Sequence, residues 1–230
     1  MEAEMVGRLL GVQPSLGEHA TKEVVLQTIH SVSLIHLAAR GNADRGEIAL
    51  SPKCTWNNIP QEEDYLLTMS DISKVKLRAK LVVLNCCHSG CGTFKKEGVI
   101  GIARKFLASG ARSVLVASWA IQDEATEQLM NQFYEHLVAG ESASESLHQA
   151  IKWLRGNGFA EPNQWAPFVL MGDNVTFDLT KLREYFDGLL TNLGVQRATC
   201  DSPWPKVPSG LPRRDKNEQM IAELKTGNTR

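Results

Sequence analysis

The chain has 230 residues, 43% of them apolar and 22% charged, with a formal net charge of −1. That balance is globular and excludes the strong basic field of a dedicated nucleic-acid binder. No apolar run approaches the roughly 18 residues of a membrane helix, and MEAEMVGRLLGVQPSLG lacks the apolar stretch of a secretory signal. Of 5 cysteines, three crowd between positions 86 and 91; an odd, clustered set without a signal implies reduced thiols in a cytosolic or nuclear setting, and a cytoplasmic location is expected.

In chain order, residues 1–16 read as a remnant of an upstream region or a linker. Thr21 caps a helix carrying Val24, Val25 and Ile29 at helical spacing. SVSLIHLAARG is an apolar, partly β-branched run ending at Gly41, hence a buried strand. GEIALSP gives a short strand stopped by Pro52. YLLTMSDISKVKL gives a strand edge and then a helix started by Ser70 or Asp71.

KLVVLNCC is the clearest buried strand, ended by the small, polar HSGCG. VIGIARKFLASGAR follows as a helix closed by Gly110, and SVLVASW as another buried strand. DEATEQLMNQFYEHLVAG is a long amphipathic helix with acids in its first turn and Gly140 after its last. SASESLHQAIKWLRG is a helix capped by Ser142 or Ser144, and WAPFVLMGD is a last strand with Pro167 at its entry or edge. Alternating strands and helices predict a largely parallel sheet covered on both faces. Beyond about residue 180 one more helix is expected over 179–197, and the Pro-rich, charged 198–230 reads as a disordered tail.

Chemistry in an open parallel sheet gathers at the carboxyl ends of its strands. Two strands end there in polar clusters, ARGNADRG and NCCHSGCG. A cysteine at such an end is a nucleophile only if a neighbour holds it as thiolate or takes its proton. Ser89, Gly90 and Gly92 would let backbone amides face a developing oxyanion. A buried cysteine is as often an inert small hydrophobe, which is the reading for Cys86. Cys86, Cys87, His88 and Cys91 lack the second ligand set that zinc sites use. Trp119 follows a strand end and lines the pocket or covers the next helix. Asp123 and Glu124 read as acids favoured by a helix N-terminus, and Trp153 and Trp165 as core. The GKS/T ending of a phosphate loop is absent, so nucleotide binding has no support.

IHLAARG, LVVLNCCHSGCG, EGVIGIARKFLASGARSVLVASWAIQDEAT, FYEHLVAGESASESLHQA and WAPFVLMGD resemble, in order and spacing, the CHAT domain. That caspase-like module is found behind tetratricopeptide repeats. The resemblance implies an α/β fold: a caspase/separase-like three-layer sandwich with a mostly parallel sheet, its N-terminal part missing, over residues 17–178. The family nucleophile falls on Cys87, second cysteine of NCCHSG. The dyad histidine position, before the glycine that ends the first strand, falls on Arg40. Arginine is not a general base at neutral pH, although its charge favours a nearby thiolate. Where related metacaspases place an aspartate for basic substrate side chains, this chain has Asn85. His88 and His36 are the alternative bases, His36 about 13 Å back along the strand.

These residues imply a catalytically impaired caspase-like module, an interaction or regulatory domain of a repeat scaffold. The alternatives are an active cysteine endopeptidase using Cys87 with an unconventional base, and a groove that binds peptide without cutting it. Binding falls to Asn85, Gly90 and Trp119. Partners are a protein or peptide, with tetratricopeptide repeats in cis or in trans. No nucleic acid, membrane, metal or cofactor is expected.

Overall fold

A computed structural model describes residues 2–42, 45–53, 59–88, 96–119, 121–178 and 220–223. Its elements run α1 (Glu2–Leu10), β1 (Ser15–Leu16), a 3-10 turn (Gly17–His19), α2 (Lys22–Thr28), β2 (Leu34–Asn42), β3 (Glu47–Ala49), α3 (Glu62–Tyr65), β4 (Leu66–Leu67), α4 (Met69–Ser73) and β5 (Leu81–His88). Then follow α5 (Lys96–Ala108), β6 (Ser113–Ala117), α6 (Asp123–Val138), α7 (Ala143–Gly156), α8 (Pro162–Trp165), β7 (Phe168–Gly172) and β8 (Met220–Glu223).

One sheet carries the fold, in the order β1-β8-β2-β5-β6-β7, with β3 also on β2 and β4 on β3. The centre is parallel: β2 pairs with β5 and β5 with β6. A parallel neighbour needs a crossover, and α5 provides it between β5 and β6. The flanks are antiparallel, β7 on β6 at one side and β3 and β8 on β2 at the other.

Strand alternation divides the core in two. Leu34, Leu81, Val83 and Leu115 pack with Val6 and Leu10 of α1, Leu129 and Phe133 of α6 and Ala150 of α7. The intervening residues Ile35, Leu37, Val82, Leu84 and Val114 pack on the opposite face with Val25, Ile72, Ile102 and Phe106. The result is the expected three-layer sandwich. Each fully buried Leu, Ile or Val side chain contributes about 1.5–3 kcal/mol by its removal from water.

Local signals set the element ends. Thr21 caps α2, its side chain accepting from the Val24 amide, and Ser142 caps α7 through the Glu145 amide. The α4 start differs from the sequence reading. Thr68, not Ser70 or Asp71, is the cap; it accepts from the Asp71 amide while the Asp71 carboxylate accepts from the Thr68 amide. Gly110 ends the turn after α5 at φ +114°, and a Cβ there would lie 2.6 Å from the Leu77 carbonyl oxygen.

Two segments read as peripheral take part in this architecture. Within 1–16, the stretch read as an upstream remnant or linker, Glu2–Leu10 is a helix with Ala3, Val6 and Leu10 buried against the α6 side of the sheet. The apolar spacing 3, 6, 10 is what lets it dock. Within 198–230, the stretch read as tail, Met220–Glu223 forms β8. The helix expected over 179–197 lies outside the described residues.

Candidate active site

The parallel pairing of β2 and β5 brings both polar strand ends to one edge of the sheet. Leu34 pairs with Leu81, and the register continues through Ala38↔Asn85 and Arg40↔Cys87 to Gly41↔His88. Arg40 therefore stands directly across the ladder from Cys87. Adjacent strands lie about 4.8 Å apart, so the two backbones meet at the distance of one hydrogen bond. The Arg40 side chain is exposed. β3 pairs with the same strand end, Ala49 opposite Arg40, and so fixes the end of β2 from its other side.

Behind this pair, Asn85, two residues before Cys87, and His36, four before Arg40, belong to a buried polar network. His36 is 0% exposed, and its Nδ1 is 2.8 Å from the Tyr134 hydroxyl on α6. Its Nε2 is 3.1 Å from Glu2 Oε1 of α1, a close contact without the alignment of a hydrogen bond. The Asn85 side-chain amide donates to both Glu2 carboxylate oxygens, at 2.7 and 2.6 Å. Burial, and then the Glu2 charge, push the Tyr134 hydroxyl well above its ordinary range. Tyr134 thus keeps its proton, and its hydroxyl is the hydrogen-bond partner of His36 Nδ1. Four residues from α6, β2, α1 and β5 are joined under the candidate site.

This network engages His36 through a hydrogen bond at Nδ1, with the Glu2 carboxylate close to Nε2, and Asn85 at its amide. His36 is enclosed, and Asn85 is turned to a carboxylate of the chain itself. Trp119 lies just beyond β6, half-buried, its indole N–H donating to the Asn163 carbonyl of α8 at 3.4 Å. Cys86 packs against the α5 side of the sheet and lines a small apolar pocket with Gly41, Ile48, Val99 and Val116. Asp123 and Glu124 stand in the first turn of α6. Trp153 and Trp165 pack at the rim of the core, with Arg155 5.0 Å from the Trp165 ring centroid. The side chains of Cys87 and His88, together with Gly90, Cys54, Cys91 and Cys200, lie outside the described residues.

Sequence reasoning missed Glu2 and Tyr134. The signal for α1 was present in its apolar spacing. Nothing local marked Glu2, because its partners are 34 and 83 residues away in sequence. Among the described residues no three His, Cys, Asp or Glu side chains gather as a metal site, and no helix is long and apolar enough to cross a membrane.

A parallel-centred α/β sandwich of this kind is consistent with a caspase-like class, and comparison with known proteins gives the family. The CHAT domain model matches residues 1–173, and the chain belongs to that family. The match includes α1. Tetratricopeptide repeat protein 28 of Mus musculus is 31% identical over 206 residues, covering 76% of this chain and 8% of that protein. The Homo sapiens protein of the same name is 30% identical with the same coverage. The chain thus spans about 8% of the length of these relatives.

Proposed function

We propose that this CHAT domain is a catalytically impaired caspase-like module that serves a repeat scaffold as an interaction or regulatory domain. The observation that carries this reading is Arg40 in register with Cys87, where a dyad would place a base. A guanidinium stays protonated at every physiological pH, so it cannot take the thiol proton. Its charge still favours thiolate, which leaves a nucleophile without a proton acceptor. The name of the relatives, tetratricopeptide repeat protein 28, supports the scaffold context.

The competing reading is an endopeptidase that uses Cys87 with His36 or His88. His36 argues against itself: it is enclosed and engaged by Tyr134 and Glu2. A base must reach the proton it removes, within about 3 Å or through one water. The test is labelling of the whole chain with a peptide chloromethyl ketone, read by mass spectrometry at each cysteine. Modification of Cys87 faster by no more than the roughly tenfold that a nearby positive charge gives a thiol, with no cleavage of a peptide library, is expected. Rapid and selective modification of Cys87, with cleavage of a peptide library, overturns the impaired reading.

A second reading is favoured by the exposed Arg40 at the strand end. The site binds an extended peptide without cutting it, Arg40 taking a carboxylate through a bidentate pair. Arg40→Ala then abolishes capture of acidic peptides while the melting temperature is unchanged. Unaltered capture excludes this use of Arg40.

A further inference from the structure

The outer edge of β2 is closed in two halves by different means. Its end, Arg40–Asn42, pairs with β3, the next strand in the chain. Its middle, Ile35 to Ala38, pairs with β8, in the register Ile35↔Glu223, His36↔Ala222, Leu37↔Ile221 and Ala38↔Met220. β8 has β1 on its other side, with Ser15↔Ile221 and Leu16↔Met220. Among the described residues β1 joins the sheet through β8 alone. The gap between β1 and β2 is therefore one strand wide and offers main-chain partners from both walls.

The β2 wall is not an ordinary edge. Leu34, Ile35, His36 and Leu37 are each 0% exposed. An edge strand is normally blunted by charge, proline or a bulge, and 34–38 (LIHLA) has none of these. With β8 in place these residues are enclosed, and without it their outward amides and carbonyls would form an open, unprotected sheet edge. The occupant is short, four residues, and residues 179–219 separate it from the last described residue of the core. The segment belongs to the same chain as its slot, so pairing is intramolecular, at an effective concentration on the order of millimolar.

From this we infer that the slot between β1 and β2 is a strand-accepting site, filled by Met220–Glu223 as a resident and exchangeable ligand. Its partner class is an extended peptide with three consecutive apolar residues opposite His36, Leu37 and Ala38, as Met220, Ile221 and Ala222 are. Main-chain pairing supplies the affinity and the apolar run sets the register. The site is separate from Arg40 and Cys87, and its failure would leave the reading of that pair untouched.

Amide hydrogen exchange on the unsubstituted full chain gives the first test. The amides of residues 221–223 are expected to be protected relative to the same sequence as a free peptide. Exchange at the free-peptide rate would overturn the proposal without any variant. The second test is Ile221→Pro in the full chain, which removes an N–H from the resident strand. Exchange should rise at residues 35–38 and stay unchanged at residues 113–117. A fluorescent peptide of residues 217–226 should then bind the variant at least tenfold more tightly than the unsubstituted chain, and the peptide carrying the same proline should not bind. Equal binding to both chains, or binding to neither, would overturn the proposal.

Discussion

Arg40 and Cys87 face each other as Cα partners on adjacent parallel strands, β2 and β5. Neither residue reaches this relation through sequence proximity. It comes from the β2–β5 register, which also sets Ala38 against Asn85 and is held below by His36, Glu2 and Tyr134. Thiolate formation at Cys87 is therefore expected to depend on Arg40. Arg40→Ala should move the midpoint of the iodoacetamide rate-against-pH curve of Cys87 upward by about one unit, about tenfold in rate near neutrality. A midpoint that does not move would separate the two residues electrostatically.

Arg40→His tests the position rather than the charge. A histidine titrates near neutrality and has an acceptor nitrogen, so it restores the kind of group that a dyad needs. The substituted chain is expected to label at Cys87 faster than the parent, with a pH dependence that falls below about pH 6.5. Absence of any gain would place the defect elsewhere in the site.

The network beneath the pair should be a structural requirement. Glu2→Ala removes the acceptor of the Asn85 amide and the group facing His36 Nε2, leaving buried Asn85 and His36 facing a part-buried gap. Leaving a buried polar group unpaired costs about 1–3 kcal/mol. Urea unfolding should show a loss in that range, and Glu2→Gln, which keeps an acceptor, a smaller one. The same loss from both substitutions would mean that charge, not hydrogen bonding, is what Glu2 supplies.

Tyr134 gives the alkaline limb of stability. Its folded hydroxyl is raised above the unfolded value, so the native state holds the proton more tightly than the unfolded chain does. This contribution is complete below about pH 10 and is lost as pH rises beyond it. Tyr134→Phe should flatten that limb in pH-dependent unfolding, while costing about 1–3 kcal/mol at neutrality because His36 Nδ1 loses its hydrogen-bond partner. An unchanged alkaline limb would refute the assignment.

The acid limb has an equivalent source in Asp71. Burial raises its carboxyl, but the Lys22 ammonium at 2.8 Å and the two Thr68 bonds outweigh this and hold it below the usual range. A depressed folded value gives stability that is complete above about pH 4 and lost as pH falls through the folded value. Asp71→Asn should reduce the acid dependence, and Thr68→Ala should cost about 1 kcal/mol as a lost cap. Both are read from urea midpoints between pH 3 and 7.

Much of this molecule was written locally. The apolar runs of 34–38, 81–84 and 113–117 made three strands legible, because each is buried on both faces and has no polar alternation to confuse it. Thr21, Ser142 and Gly110 announced their helix ends by side-chain chemistry that acts within three residues. The order of the motifs carried the family, and with it the positions of Cys87 and Arg40. What the linear chain could not express was pairing at a distance. Glu2 looks like one more surface acid until α1 docks, and Met220–Glu223 looks like tail until β2 offers it an edge. Short-range propensity determined the elements and candidate residues of this protein; the tertiary fold decided their neighbours, because a buried polar group or an open strand edge is satisfied by whatever the packing brings beside it, however far away in sequence.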